Sequence, residues 1–380
     1  MAVYDVIVLG LGGMGSAAAW ACAQRGWKTL GLERHDFSHS LGSSHGHSRI
    51  IRVVYYEHPA YVPMAQEAFR RWEELEHLTG SRLLTRCRCA NIGSWDSEIV
   101  QGVSRAVAEH QLPAERWTYS DIRKHAPALH PAEDMVAIVE ERAGWLAVEN
   151  CVLSMQAQAQ AHGATLLAHQ AVRNWSASEQ AVTVQTDTNE YHAAKLILTA
   201  GPWATQLLPQ LPLTVMKQMQ LWFEPPNLSL ELFQSKRYPI FIMDTPLGGF
   251  YSIPLEAGPG VKLAQHYGAP ELPTISAIHR QCLESDVLPV RNFLQQYVPT
   301  LAQAPLAASS GCVYTLTPDR HFVIDVLPDK AQVAVACGFS GHGFKFAPVV
   351  GEMLAEMLEG RPRPVIQELF TIQRFRVPVS

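Results

Sequence analysis

The chain has 380 residues, of which 47% are hydrophobic and 17% are charged, and its formal net charge is −5. This length suggests two domains or one large intertwined unit, and the apolar fraction is ordinary for a protein with a real core. The chain has no basic excess and no long run of like charges, so neither a nucleic-acid partner nor a charged interaction tail is expected.

The first residues do not have the pattern of a secretory signal. Asp5 precedes the first apolar run and glycines interrupt that run at once, whereas a signal starts with basic residues and ends at a small-residue cleavage site. No stretch reaches the roughly 18 consecutive apolar residues of a membrane helix. We therefore expect a cytoplasmic protein without a membrane partner.

Cysteines and histidines show no metal-binding pattern. The seven cysteines are odd in number and scattered, which argues against a disulfide framework, and Cys87 and Cys89 form C-x-C without a second pair. Four histidines cluster near the start of the chain without a carboxylate or cysteine set at a recognisable spacing. They are His35, His39, His45 and His47. No bound metal is expected.

The first forty residues have the pattern of a dinucleotide-binding unit. Residues 3–9 are mostly apolar and β-branched and predict a buried parallel strand. Residues 10–15 match G-x-G-x-x-G, residues 16–25 predict an alanine-rich helix, and a second strand ends at Glu33. Together they indicate a Rossmann-like β–α–β unit.

The spacing of this unit has a chemical reason. Gly10 permits the tight turn from strand to helix, Gly12 lets the main chain approach a pyrophosphate, and Gly15 lets the helix and strand pack closely. The pyrophosphate would lie at the positive end of the helix, and Glu33 would accept hydrogen bonds from ribose hydroxyls. The motif does not separate NAD from FAD, but its position at the start of the chain favours FAD.

Helices and strands continue to alternate in the next part of the chain. The spacing of apolar residues predicts helices at residues 61–78, 98–110 and 151–161, and a strand region is predicted at residues 83–92. An apolar strand at residues 195–199 ends in a glycine turn. A strand that returns so late can rejoin the N-terminal sheet.

The pattern changes at residue 216 to short β-type runs separated by Pro and Gly, which suggests a mostly antiparallel sheet. We therefore predict a mixed α/β (α+β) fold with two domains. The Rossmann-like FAD-binding domain is discontinuous, and the second domain binds the substrate. The first comprises residues 1–85, 145–215 and 310–380, and the second comprises residues 86–144 and 216–309.

Six short motifs are spread over nearly the whole chain. They are residues 10–15, 43–52, 260–263, 311–315, 321–325 and 338–346. In this order and approximate spacing they resemble the monomeric sarcosine oxidase and N-methyltryptophan oxidase family of FAD-dependent amine oxidases. The last motif is the most specific of the six.

The resemblance implies an FAD cofactor that is bonded through Cys312 to the 8α-methyl group of the flavin. Without the resemblance, Cys312 would be interpreted as a small buried hydrophobe. The residues that the resemblance and the glycine motif place at the cofactor are Gly10, Gly12, Gly15, Glu33, Arg34, Ser43, Arg49, Val172, Gly201, Trp203, Cys312, Gly341, Gly343, Phe344 and Lys345.

The resemblance also implies that Arg52 and Lys345 bind the carboxylate of an amino acid. An amino acid in a dry pocket needs cationic partners, and arginine offers a bidentate fork. Arg52 could instead be a surface charge, but Ile50 and Ile51 beside it favour a buried segment. A buried arginine in turn needs a partner.

Lys262 lies within an apolar strand and could by alternation face solvent. In the family the matching lysine lies over the flavin and promotes the reaction with O2, because a fixed cation stabilises the negative charge that develops on oxygen. The other residues that the resemblance places in the catalytic site are His45, Arg49, Tyr251, His266 and Tyr314.

The chain departs from the family pattern next to Arg49. His47 and Ser48 stand where the family often has an acidic residue and a threonine, which changes the local electrostatics. Residues 53–56 carry an extra bulky tyrosine, and residues 216–249, which shape the pocket, match poorly. The amine is therefore open among sarcosine, N-methyltryptophan, pipecolate, proline and related acids.

The sequence thus predicts an FAD-dependent oxidase of a small secondary amino acid, either N-methyl or cyclic. Hydride passes to the flavin, the imine hydrolyses, and O2 reoxidises the flavin and gives H2O2. Two alternatives stay open, a dehydrogenase that uses a quinone or protein acceptor and a non-catalytic FAD-binding sensor. The expected partners are a small amino acid and O2, and the resemblance favours a monomer.

Overall fold

The computed structural model of the chain describes residues 4–178, 181–361 and 368–375, and none of the helices within these ranges is long and apolar enough to cross a membrane. The principal helices are α1 (Gly13–Gln24), α2 (Tyr61–Thr79), α3 (Glu98–His110), α4 (Tyr119–His125), α5 (Val148–Ala161), α6 (Ala204–Leu207), α7 (Glu284–Tyr297) and α8 (Ala347–Leu358). The strands are β1 (Tyr4–Leu9), β2 (Thr29–Leu32), β3 (Ser48–Arg52), β4 (Leu84–Arg86), β5 (Cys89–Ser94), β6 (Glu115–Trp117), β7 (Met135–Glu140), β8 (Ala143–Ala147), β9 (Thr165–Leu167), β10 (Val172–Ala177), β11 (Val182–Thr186), β12 (Glu190–Leu198), β13 (Thr214–Phe223), β14 (Ile240–Thr245), β15 (Gly248–Ile253), β16 (Val261–His266), β17 (Glu271–Leu272), β18 (Leu306–Leu316), β19 (Val323–Leu327) and β20 (Lys330–Cys337).

The first sheet contains the predicted Rossmann-like unit. β1 pairs in parallel with β2, and α1 forms the connection between them. β9 continues the sheet beyond β2, while β12 and then β20 continue it on the other side of β1, all in parallel. The strand predicted at residues 195–199 therefore rejoins the N-terminal sheet, with Leu198 opposite Leu9.

Both faces of this sheet are covered, as the unbroken apolar run of β1 requires. Val6 and Val8 pack into the cluster that contains α1, α5 and α8. Ile7 and Leu9 point to the opposite face and pack into a second cluster with β11 and β20. This alternation follows from the two-residue period of a strand. It places the carboxyl end of β1 at the edge where α1 begins.

The second sheet is mostly antiparallel and, within the described residues, holds nine strands. Their order is β17–β13–β16–β15–β14–β5–β7–β6, with β18 paired along β13. Its core joins Phe223 and Phe250 to Phe293 and Leu294 of α7. The mixed α/β fold and the antiparallel sheet that the sequence predicts are confirmed.

Some local features differ from the expectations. Residues 83–92, predicted as one strand region, form β4 and β5, which belong to different sheets. Helix α7 was not predicted, because Pro289 inside it has the pattern of a helix break. The expected domain boundary at residue 310 falls inside β18, which has 11 residues. The division into two domains stays a proposal.

A third, small sheet of β3, β8 and β4 carries the two arginines of interest. β3 pairs antiparallel with β8, with Arg49 opposite Leu146 and Arg52 opposite Ala143. Four residues of β3 line a cleft, and they are Ser48, Arg49, Ile50 and Arg52. β3 therefore spaces the two arginines along that cleft.

Candidate active site

A deep cleft is lined by residues of the first and second sheets and of β3. It encloses about 1980 Å³ of space between protein atoms, part of which is open to solvent. Three of the predicted site residues, Gly15, His45 and Lys262, are not among the residues of its wall. The predicted site residues that line it are Gly10, Gly12, Glu33, Arg34, Ser43, Arg49, Arg52, Val172, Gly201, Trp203, Tyr251, His266, Cys312, Tyr314, Gly341, Gly343, Phe344 and Lys345.

The glycine loop between β1 and α1 has the space that a dinucleotide needs. Gly10 has a φ of +86°, which residues with a side chain rarely adopt. A Cβ atom on Gly15 would lie 1.7 Å from the carbonyl oxygen of Gly10, so Gly15 is required for packing. A Cβ atom on Gly12 would meet only Ser44 Oγ, at 3.4 Å. The space beside Gly12 is thus free for a ligand.

Glu33 directly follows β2 and ties it to the glycine loop. Its Oε2 accepts a hydrogen bond from the main-chain nitrogen of Leu11 at 2.9 Å, and its Oε1 accepts one from that of His35 at 3.0 Å. His39 Nε2 lies 3.2 Å from Oε1. Burial raises the pKa of Glu33, but the hydrogen bonds from His39 and the two amides outweigh burial and lower the pKa. Glu33 is an ionised anchor beside the loop.

Several buried polar atoms on the cleft wall have no partner in the part of the chain that the structure describes. They are Ser38 Oγ, Ser48 Oγ and Gln220 Nε2. Buried polar groups are rarely left unsatisfied. These atoms therefore indicate that a polar ligand completes the wall, and their positions from the Glu33 end to Arg49 fit an extended dinucleotide such as FAD.

Arg49 and Cys312 meet in the wall between the two ends of the cleft. Arg49 Nη1 donates a hydrogen bond to Gln220 Oε1 at 3.0 Å, and Nη2 donates to the carbonyl oxygen of Ser43 at 2.9 Å. The same Nη2 lies 3.4 Å from Cys312 Sγ. Cys312 is buried and lies opposite Gln218 across β18 and β13. The guanidinium group thus orients the thiol within the wall.

Lys262 and His45 lie behind β3. Lys262 is 1% exposed, and its Nζ donates hydrogen bonds to the carbonyl oxygens of Gly46 at 2.9 Å and Ser48 at 2.8 Å. Burial, followed by the charge of Arg49, lowers the pKa of Lys262 well below its usual value. The same two causes lower the pKa of His45 to about 3, so His45 is neutral near pH 7. Lys262 is connected to the cleft wall by its hydrogen bond to the carbonyl oxygen of Ser48, because Ser48 lines the cleft.

The replacement at His47 falls on an exposed position. His47 has a φ of +64°, and its ring lies edge-on to Trp222 with 5.5 Å between the ring centres. The main-chain nitrogens of Gly46 and His47 donate to the carboxylate of Glu149 at 2.6 and 3.2 Å. The side chain of His47 is not part of the cleft wall.

Arg52 has buried hydrogen-bond partners at the far end of the cleft. It is 2% exposed, its Nη1 donates to the carbonyl oxygen of Val54 at 2.7 Å, and its Nη2 lies 2.7 Å from both carboxylate oxygens of Glu57. Its guanidinium carbon lies 4.0 Å from the ring centre of Tyr55 and 5.0 Å from that of Tyr56. Burial opposes the ionisation of Glu57, but the charge of Arg52 lowers its pKa to about 2. An incoming carboxylate has to compete with Glu57.

Lys345 forms a second cation at this end, just before α8. Its Nζ donates to Tyr55 Oη at 3.0 Å and to the carbonyl oxygen of His342 at 2.6 Å. Burial, followed by the nearby charge of Arg52, lowers the pKa of Lys345 to about 7. Lys345 is therefore partly charged at neutral pH, and an anion beside it would raise its pKa.

Ring groups from the second sheet line the same cleft as these cations. His266 Nδ1 lies 3.2 Å from Tyr314 Oη, and the ring centre of His266 lies 6.3 Å from that of Tyr251. Burial lowers the pKa of His266 to about 4 and raises the pKa of Tyr251 to about 12. This wall therefore offers imidazole and hydroxyl groups in their neutral forms near pH 7.

Many residues of the cleft wall were not assigned to the site from the sequence, and they include Tyr56, Glu57, Gln218 and Gln220. Glu57 had a usable signal, because a buried arginine needs an acidic partner and Glu57 is the first acidic residue after Arg52. The two glutamines lie on β13, which meets the cleft only through long-range pairing, and no local pattern marks them.

Known proteins share this architecture. The family model described as "DAO: FAD dependent oxidoreductase" matches residues 5–357. A monomeric sarcosine oxidase of Streptomyces avermitilis is 39% identical over 360 residues, which cover 93% of each chain. An N-methyl-L-tryptophan oxidase of Yersinia pestis is 31% identical over 377 residues, which cover 98% of this chain and 100% of that one. The solved structure of NikD, an unusual amino acid oxidase essential for nikkomycin biosynthesis, has the same fold, with a TM-score of 0.84, 23% identity and 98% coverage of both chains.

Proposed function

The chain belongs to the DAO family of FAD-dependent oxidoreductases, and we propose that it oxidises the C–N bond of a small secondary amino acid, N-methyl or cyclic, with O2 as the electron acceptor. Two relatives that match it over most of their length are named as oxidases of sarcosine and of N-methyl-L-tryptophan. Both of these compounds are N-methyl amino acids. The names support the class of substrate, while the poorly matching pocket residues leave its size open.

The observation that carries the proposal is the pair of buried cations, Arg52 and Lys345, in the same cleft as an open glycine loop. FAD, when bound, supplies the two-electron acceptor for the amine. The glycine loop and Glu33 would hold its dinucleotide part, and Arg49 with the unsatisfied wall atoms would hold the rest. The two cations would bind the carboxylate of the amino acid.

Substrate binding requires an exchange of partners at Arg52. Glu57 occupies Nη2 of Arg52, and removal of one member of a buried ion pair is unfavourable unless another charge replaces it. The substrate carboxylate supplies that replacement. Lys345 becomes fully protonated beside the carboxylate, because a neighbouring anion raises its pKa from about 7. A neutral amine without a carboxylate would neither replace Glu57 at Arg52 nor raise the pKa of Lys345.

We propose that the amine binds in its unprotonated form. Arg49, Arg52 and Lys345 make the cleft positive, and His266 is neutral, so a second ammonium group beside them is disfavoured. His266 and Tyr314 offer neutral hydrogen-bonding groups for the amine. Two-point binding of the carboxylate then orients the carbon to be oxidised, and the imine hydrolyses after release.

We propose that Lys262 assists the reaction with O2 from behind β3. Its pKa is low because it is buried and close to Arg49. A negative charge that develops nearby would raise this pKa, so Lys262 could take up a proton as charge accumulates on oxygen. The contact of Lys262 with the carbonyl oxygen of Ser48 keeps it next to the cleft wall.

We further propose that Cys312 attaches FAD covalently. Its thiol is free and buried, lies on the cleft wall and is oriented by Arg49. The motif at residues 311–315 that resembles the oxidase family supports the same role. A cytoplasmic location and a monomeric state are proposed from that resemblance as well.

Anaerobic stopped-flow mixing of the purified flavoprotein with a panel of N-methyl and cyclic amino acids tests the function. Rapid bleaching of the flavin by one acid, and peroxide formation after air is admitted, are expected. Bleaching without peroxide, together with turnover on an artificial quinone, would identify a dehydrogenase. Binding of these acids without any bleaching would identify a sensor.

A further inference from the structure

Glu140 is a buried carboxylate that the proposed chemistry does not use. It ends β7 opposite Cys89 and is 2% exposed. Its Oε2 accepts hydrogen bonds from the main-chain nitrogens of Val53 at 2.9 Å and Val54 at 3.1 Å, and its Oε1 lies 3.2 Å from the nitrogen of Val54. Both amides directly follow Arg52. Glu140 therefore holds the main chain at the point where β3 ends.

This carboxylate is not placed there to form an ion pair. No Lys, Arg or His among the described residues lies within salt-bridge distance of Glu140. Burial raises the pKa of Glu140 to about 7, and the two amides and the more distant charges of Arg52 and Lys345 offset only part of the effect. A neutral residue would avoid this unfavourable burial. The position of the carboxylate points to a role in the site rather than to stability alone.

The segment that Glu140 holds supplies the partners of both substrate-binding cations. The carbonyl oxygen of Val54 accepts from Arg52 Nη1, and Glu57 accepts from Arg52 Nη2. The ring of Tyr55 stacks on Arg52, and its hydroxyl accepts from Lys345 Nζ. A shift of the main chain at residues 53 and 54 would therefore move every one of these contacts together.

We propose that Glu140 is a positioning residue for the substrate carboxylate. It fixes the main chain at Val53 and Val54, and this holds Arg52, Tyr55 and Glu57 in the geometry that receives the substrate. The role rests on the proposed function of Arg52 and Lys345 as the carboxylate site. Glu140 itself does not contact the substrate.

The chain offers a matched control in Glu76. Glu76 Oε1 also accepts hydrogen bonds from two successive main-chain nitrogens, those of Leu83 at 2.7 Å and Leu84 at 3.0 Å. Glu76 does not line the cleft. Loss of either glutamate removes the same kind of main-chain support, but only Glu140 supports the segment after Arg52.

The experiment titrates the purified flavoprotein with propionate, a carboxylate without an amine, and follows the change in flavin absorbance. Glu140→Ala should raise the propionate Kd by roughly tenfold to a hundredfold, because small displacements of binding groups have effects of this size. Glu140→Gln should restore most of the affinity, because its amide oxygen can accept from both nitrogens. Glu76→Ala should leave the Kd unchanged. The thermal unfolding midpoint is measured for every variant.

An unchanged Kd for Glu140→Ala, or an equal increase for Glu76→Ala, would overturn the proposal. If Glu140→Ala does not fold, Glu140→Asp replaces it, since the shorter side chain keeps the charge but withdraws the oxygens. An unchanged Kd in that variant would have the same meaning. Failure of the proposed oxidase function gives a different result, in which propionate binds to the unmodified protein but no amino acid bleaches the flavin.

Discussion

The two ends of the cleft are built by different physical means. At the glycine-loop end, the main chain is held by close packing of Gly15 on Gly10 and by Glu33, whose hydrogen bonds keep it ionised. At the other end, buried charges balance one another, and the pKa values of Lys345 and Glu140 are both about 7. The main-chain geometry of the first end is fixed once the chain folds. The second end responds to pH and to each incoming charge, which suits a substrate that binds and leaves.

β3 joins these two ends, and a glutamate holds the main chain on each side of it. Glu149 accepts from the amides just before β3, and Glu140 accepts from those just after it. Burial raises the pKa of both, but hydrogen bonds from main-chain amides outweigh it at the partly exposed Glu149, whose pKa is lowered. At the fully buried Glu140 the effect of burial prevails. The same hydrogen-bond pattern therefore has opposite electrostatic outcomes.

The largest effect is expected from a change at the rigid end. Gly15→Ala places a methyl group 1.7 Å from the carbonyl oxygen of Gly10, which forces α1 away from β1 and destabilises the fold by about 3 kcal/mol or more. The thermal unfolding midpoint and the flavin-to-protein absorbance ratio should both fall. Gly12→Ala is the control, because its methyl group meets only Ser44 Oγ. It should fold normally and lose affinity for FAD alone, and equal unfolding midpoints for the two variants would contradict this view.

Arg52→Ala tests the end of the cleft that holds Arg52 and Lys345. It should weaken binding of the substrate carboxylate by about 2–5 kcal/mol, since Lys345 remains as the only cation of the pair and Glu57 is left buried without its partner. The Michaelis constant should rise while the bound FAD is unchanged. Arg173→Ala, which removes an exposed pair with Asp187, is the control. Wild-type kinetic constants in the Arg52 variant would show that the carboxylate binds elsewhere.

Lys262→Met separates the two halves of the catalytic cycle. Loss of the amino group should slow reoxidation by O2 by about a hundredfold, because the variant can no longer take up a proton to stabilise the charge that develops on oxygen. Anaerobic flavin reduction should change little, because the negative charge that Lys262 stabilises develops only in the reaction with O2. Stopped-flow traces of each half-reaction provide the measurement. Equal slowing of both halves would remove Lys262 from the oxygen reaction.

The pH dependence of carboxylate binding sharpens the contrast further. Lys345 has a pKa of about 7, so its charge is present below that pH and is lost above it. Affinity for propionate should therefore fall above pH 7, by at most about tenfold per pH unit for one proton. Lys345→Met should abolish this fall. Because Glu140 titrates in the same range, Glu140→Gln is measured in parallel, and persistence of the fall in that variant would assign it to Lys345.

The smallest effect on binding of the substrate carboxylate is expected from a substitution of Cys312. Cys312→Ser should leave the unfolding midpoint nearly unchanged, because the side chains are of similar size. Flavin absorbance should stay with the protein after acid precipitation of the wild type and pass into the supernatant for the variant. Cys337→Ser, at another buried free cysteine, is the control. Release of flavin from the wild type would exclude a covalent bond.

Local patterns were sufficient for much of the fold. The apolar run of β1, the glycine motif and the alanine-rich α1 specify a β–α–β unit within forty residues, and the structure has it there. Short β runs broken by Pro and Gly predicted the antiparallel sheet. α7 was missed because Pro289 lies inside it, and the break between β4 and β5 was missed because nothing local separates two strands that join different sheets.

The sequence by itself determined the glycine loop, the acid at the end of β2 and the motifs that contain Arg52, Cys312 and Lys345. These features depend on residues that are close along the chain, where spacing alone constrains geometry. Only the tertiary structure decided that Arg49 is bonded to Gln220, that Lys262 lies behind the wall and that Glu140 holds the segment after β3. Such contacts join distant parts of the chain, and the pKa shifts that accompany them arise only when folding removes the groups from water.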